Sequence, residues 1–143
     1  MRYSEIEKIT GVPARRIRYY ATEGLLTLGE QNPGRGVGRD FSWKNLLELL
    51  IIKEFAEIGL EFSKIKRALD VARQYGREMF EPGLYTKGAN IYLKISSELN
   101  DTGFFILTKG INDIPYENVF AKDAGVALVH INKLVEKLNK ALN

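Results

Sequence analysis

The stretch GVPARRIRYYATEGLL, Gly11 to Leu26, decides how the first half of the chain reads. Pro13 can open a helix, where its missing N–H costs nothing, and Gly24 is a natural stop, so the segment between them is one short helix. Ala14, Ile17 and Ala21 form its small apolar stripe. The positions left facing outward make two neighbouring strips, one of residues 15, 18, 19 and 22 and one of residues 16, 20 and 23, and both carry arginine and tyrosine. Such a face suits phosphate oxygens and base edges. The alternative for the same residues is a solvated helix face, with Arg15 and Arg16 paired to acids such as Glu23 and the tyrosines packed inward.

Upstream, Ser4-Glu5-Ile6-Glu7 fits a capping box, which predicts a first helix starting at Ser4 and stopping at Gly11. Two short helices across a tight turn follow. Downstream, GEQNPGRGVGRD (Gly29 to Asp40) holds four glycines, a proline and two arginines, and reads as a loop. It contains G-x-G, but no strand precedes it and no Lys-Ser/Thr pair follows, so it fails as a nucleotide-binding loop. Placed after a helix-turn-helix, it suits a β-hairpin wing whose arginines, Arg35 and Arg39, neutralise phosphates. Ser42 is expected to cap a buried helix through WKNLLELLIIKEFAEIGL, and Ser63 a fourth, with Ile65, Ala68, Leu69 and Ala72 on one face and an end near Gly76.

From Gly76 to Gly83 the pattern breaks, and this is the expected boundary between residues 1–77 and a second unit, residues 84–143. Leu84–Thr86 and Ile91–Ile95 around KGAN predict a hairpin, Phe104–Thr108 a third strand and Val126–Ile131 a fourth. Asn132 then caps a C-terminal helix with Leu134, Val135, Leu138 and Leu142 on its apolar side. The fold class expected is therefore mainly α with a small α+β part: four helices plus a wing, then a short strand-rich segment closed by a helix.

Composition narrows the function. Residues 1–80 hold fourteen Lys/Arg against eleven Asp/Glu, residues 81–143 hold seven of each, and all nine arginines lie at or before Arg77, which aims the first half at a polyanion. Cysteine is absent and His130 is the single histidine, so thiolate sites, disulfides and a closed zinc site are excluded, and neither a metal nor a cofactor is expected. No apolar run reaches the ~18 residues of a membrane span, and MRYSEIEK lacks a signal-peptide core; a cytoplasmic protein with no membrane partner is expected. His130 lies in an apolar run without a nucleophile nearby, and the carboxylates show no motif spacing, so no enzyme is expected. Tyr85, Tyr92, Phe104 and Phe105 suit a strand core better than a small-molecule pocket.

These residues carry a family resemblance. Gly11-Val12, Ile17-Arg18-Tyr19-Tyr20, Gly24-Leu25-Leu26, Arg39-Asp40-Phe41-Ser42, and Gly59-Leu60 with Ser63 recur in the order and spacing of the DNA-binding domain of the MerR family of transcriptional regulators, which Tyr3 to Arg77 resembles. The resemblance implies a winged helix-turn-helix acting on double-stranded DNA as a homodimer. It places Arg15 and Arg16 at the groove-facing start of the recognition helix, Arg18 and Tyr20 on phosphates and Arg39 in the wing; Ser4, Tyr19, Arg35 and Lys44 complete the candidate DNA-binding set. Phe41 stands where the family has tyrosine, Pro13 and Arg16 where serine and threonine are frequent, and Glu7 where a small residue is usual. The second half departs further, since the family's long dimer-forming coiled coil is missing. Dimerisation would then use the strands or the final helix. Two other readings stay open: an antitoxin-like or adaptor protein whose second half binds a partner protein and whose DNA contact is autoregulatory, and a sensor with a small-molecule effector held near Tyr92 and Phe104.

Overall fold

The computed structural model describes residues 1–27, 41–88, 90–96, 103–107 and 125–143. Four helices come first: α1 (Tyr3–Thr10), α2 (Ala14–Thr22), α3 (Trp43–Glu57) and α4 (Phe62–Tyr75). Two 3₁₀ turns follow, Arg77–Phe80 and Pro82–Lys87, then strands β1 (Asn90–Ser96), β2 (Gly103–Leu107) and β3 (Val126–His130), and finally α5 (Ile131–Leu142). The wing expected over Gly29–Asp40, with Arg35 and Arg39, lies outside the described residues.

α3 explains the architecture. It begins where expected, with the Ser42 hydroxyl accepting the Asn45 N–H at 3.3 Å and the Asn45 Oδ1 accepting the Ser42 N–H at 3.0 Å. Its apolar residues then run all round the helix: Leu46, Leu47, Leu49, Leu50, Ile51, Ile52 and Phe55 are all buried. A helix apolar on every side must be covered on every side. α1 covers part of it, α4 another part, and α5 with β3 the remainder. Each such side chain withdrawn from water contributes about 1.5–3 kcal/mol.

β1 is the central strand of an antiparallel sheet ordered β2-β1-β3, with Tyr92 opposite Phe105 on one side and His130 on the other. Residues Ile91 to Ser96 are all buried, because β1 packs against both α4 and α5. Apolar side chains from both halves consequently meet in one cluster that runs from Ile6 and Ile17 through α3 to Ile91, Leu93, Leu134 and Leu138.

Several local expectations are corrected. The N-cap of α1 is Arg2, two residues before Ser4: Glu5 sits three residues on and accepts the Arg2 N–H at 2.8 Å, leaving Ser4 exposed inside the first turn. Ser63 likewise sits inside α4, whose N-cap is Glu61. Leu84–Thr86 is 3₁₀ helix instead of strand, since Pro82 fixes a helical start and the Tyr85 hydroxyl donates to the Met79 carbonyl; the hairpin partner of β1 is β2. Burial there raises the Tyr85 pKa far above its ordinary value. α5 is capped at His130, and Asn132 instead accepts the Ile91 N–H at 2.8 Å, tying the helix to the central strand. Leu142 is exposed, whereas Leu134, Val135 and Leu138 are buried within the chain's own core and are not free for the dimer contact expected of the final helix.

Candidate nucleic-acid interface

The turn between α1 and α2 is built tightly from its own residues. Gly11 takes φ +73°, a left-handed conformation that ends α1 while its N–H donates to the Glu7 carbonyl at 2.7 Å. The Thr10 hydroxyl donates to the Ile6 carbonyl at 2.8 Å and accepts the Val12 N–H at 3.2 Å, and Val12 is buried. The Glu7 carboxylate accepts the Ala14 N–H at 3.3 Å. That contact gives Glu7 a local purpose, an acid on the positive end of α2. Pro13 occupies the N-cap of α2, one residue before its helical start.

α2 packs inward through Ile17 and Tyr20, both buried, with Ala14 and Ala21 half-buried beside them. It ends through Gly24 at φ +78°, with the Leu25 N–H donating to the Tyr20 carbonyl at 2.9 Å and Leu25 itself buried. Everything else on it faces outward. Arg15, Arg16, Arg18, Tyr19, Thr22 and Glu23 are exposed, and none of the three arginines makes an ion pair among the described residues. The pairing of Arg15 or Arg16 with Glu23 weighed above is not found.

The two tyrosines part company. Tyr20 is only 8% exposed and belongs to the core, whereas Tyr19 is 51% exposed and rests against Phe62 at the start of α4, ring centroids 5.7 Å apart. The Arg18 guanidinium lies 4.8 Å from the centre of the Tyr3 ring, and Tyr3 in turn meets Phe41 edge-on at 5.9 Å. A cation–π contact orients a guanidinium without consuming its N–H donors, so all five stay available to an anion. Phe41 is buried in that contact, where its ring needs no hydrogen-bond partner.

Lys44 is half-buried near the start of α3 with its ammonium 5.2 Å from the Phe80 ring centre, toward the segment after α4. Lys53 is a cation that sequence reasoning passed over. Its Nζ hangs so near Gly11 that a Cβ there would lie 2.7 Å from it, and it shares a cleft of about 280 Å³ with Arg15 and Arg16. The signal was weak, because Lys53 reads as one charge at the margin of an apolar helix. Three cations thus line this cleft at the N-terminal end of α2, with Glu57 on its wall 3.8 Å from Lys53 and Glu7 on the Ala14 N–H beside it.

A polar cluster behind α2 was also missed. Glu48, completely buried, accepts from Arg73, Thr27 and Asn45. A lone acid among Leu46, Leu47, Leu49 and Leu50 was its only trace in the sequence.

His130 stacks on Tyr92 with ring centroids 4.5 Å apart, and its Nε2 lies 3.3 Å from the Asn90 Oδ1. Burial lowers its pKa, Lys133 lowers it further and Glu136 opposes both. Among the described residues no group of His, Asp and Glu side chains could hold a metal ion, and no helix is long and apolar enough to cross a membrane.

Comparison with known proteins agrees with this geometry. Residues 1–71 match the family described as MerR HTH family regulatory protein. An uncharacterized HTH-type transcriptional regulator of Mycobacterium tuberculosis strain H37Rv is 29% identical over 93 residues, 64% of this chain and 41% of that protein. A protein of the same description from Mycobacterium bovis matches to the same extent. The match thus spans less than half the length of these curated relatives.

Proposed function

We propose that this chain, whose residues 1–71 are a MerR-like helix-turn-helix domain, is a sequence-specific regulator of transcription that binds duplex DNA. α2 lies in the major groove, Arg15 and Arg16 read base edges, and Arg18, held over Tyr3, takes a phosphate with Tyr19 beside it. Tyr20 serves by packing α2 onto the core. Arg35 and Arg39 grip flanking backbone, and Ser4 and Lys44 add contacts at the margins. Residues 84–143 supply the surface for dimerisation or a partner while sharing the core of the first half. The relatives named as transcriptional regulators support the regulatory part.

The observation that carries the reading is a short helix fastened by Ile17 and Tyr20 whose three arginines are exposed and unpaired among the described residues. Selection of bound fragments from random duplex DNA, with light scattering on the protein alone, tests it. Enrichment of an inverted repeat by a dimer is expected; no enrichment over random duplex refutes it.

A further inference from the structure

We infer that Glu48 and Arg73 are positioning residues that set the angle of α2, an inference resting on α2 as the DNA-reading helix. Glu48 is completely buried in α3, and the Arg73 side chain, on α4, is 13% exposed. Their Oε1 and Nε are 3.3 Å apart. The Arg73 Nη1 also holds Asp70 at 3.1 Å, and its Nη2 donates to the Leu25 carbonyl. The Thr27 N–H and hydroxyl donate to Glu48 at 3.1 and 2.6 Å. The Asn45 amide, 2% exposed as a residue, donates to the Thr27 carbonyl at 3.1 Å and to Glu48 at 3.3 Å.

Four of these bonds end on Leu25 or Thr27, in the segment that leaves α2 through Gly24, and the Glu48–Arg73 and Asn45–Glu48 bonds join their partners to one another. On its other side the same segment is fastened to α2 by the Leu25 N–H on the Tyr20 carbonyl. The exit of the helix is therefore tied by directional bonds to α3 and α4 at once, while the helix body packs through the buried Ile17 and Tyr20. A buried ion pair gains little stability over apolar side chains of similar volume, because desolvation offsets the Coulomb attraction. Hydrogen bonds with fixed geometry give direction, and an arginine on α2 reads a base edge only if the helix axis is set to within a fraction of an ångström.

The test is the ratio of affinities for a selected duplex over random duplex, measured on the full chain. The double variant Glu48→Leu with Arg73→Met fills the volume without the bonds. It is expected to stay folded by circular dichroism and to keep its affinity for random duplex and its salt dependence. Its ratio should fall by about tenfold, the scale of one mismatched base pair. A folded double variant with the wild-type ratio overturns the inference alone. A wild-type chain with no preference for any duplex overturns the underlying reading and the inference with it. Should the double variant not fold, Glu48→Gln decides, since it keeps the shape but turns an NH2 toward donors that the carboxylate accepts from: a reduced ratio supports positioning, and an unchanged one overturns it.

Discussion

Truncating Leu138 to alanine is expected to destabilise the helix-turn-helix along with the C-terminal helix that carries the residue. Leu138 is completely buried, in a cluster that includes Ile6 of α1 and Leu46 and Leu49 of α3. Removing a leucine side chain from such a site costs about 2–5 kcal/mol, a large part of the roughly 5–15 kcal/mol that holds a domain folded. Urea unfolding supplies the assay, since the single tryptophan is well placed to report on it. Trp43 begins α3, donates its indole N–H to Asn139 of α5 at 3.2 Å and packs 6.1 Å from Tyr85. Its fluorescence therefore follows the junction while far-ultraviolet circular dichroism follows all helices. The two probes should coincide, and with an m-value of about 2 kcal/mol/M the midpoint should drop by roughly 1–2.5 M. Separate transitions, with the helical signal of α1 to α4 keeping its wild-type midpoint, would refute the single core.

Two further outcomes follow from local geometry. Gly11→Ala places a Cβ on a left-handed backbone and against the movable end of Lys53; a loss of about 1 kcal/mol, mostly backbone strain, should lower Tm by roughly 4 °C in a thermal scan. An unchanged Tm would mean that the turn does not need that conformation. His130 has a folded pKa below its unfolded value, so the unfolded chain binds the extra proton first as pH falls. Its contribution is full above the unfolded pKa, ordinarily near 6.5, and is lost as pH drops below that value toward the folded one. In His130→Gln the part of the stability loss between about pH 7 and 5 that His130 causes should vanish from urea titrations, and an identical pH profile would exclude it.

The first half was legible because its signals are local. Gly11, Pro13 and Gly24 each force a backbone event at one place, and the apolar residues of α3 and α4 repeat with the helical period. Where two residues compete for one end the sequence is ambiguous: Glu5 lies three positions from Arg2 as Glu7 does from Ser4, and only the fold selects the earlier pair. The second half was harder, since β1 is buried on both sides and so lacks the alternation that marks a half-exposed strand. Leu84 to Thr86 has strand-like residues, yet Pro82 and a hydroxyl bond from Tyr85 to Met79 decide for 3₁₀ helix. Within the candidate site, exposed arginines could be read from spacing alone. The separation of Tyr20 from Tyr19, and the pairing of Glu48 with Arg73 across 25 residues, are tertiary facts that no local pattern encodes.

The most direct measurement is fluorescence anisotropy on a selected duplex and a random one, across a salt series, for the wild type, Arg16→Ala and Arg18→Ala. Wild-type log affinity should fall linearly with log salt. Arg18→Ala should weaken both duplexes alike and reduce the salt slope by about one, as expected of a phosphate contact. Arg16→Ala should cost about 1–3 kcal/mol more on the selected duplex than on the random one. Equal losses on the two duplexes for Arg16→Ala, or no salt-dependent binding by the wild type, would contradict the assignment of α2 as the helix that reads DNA.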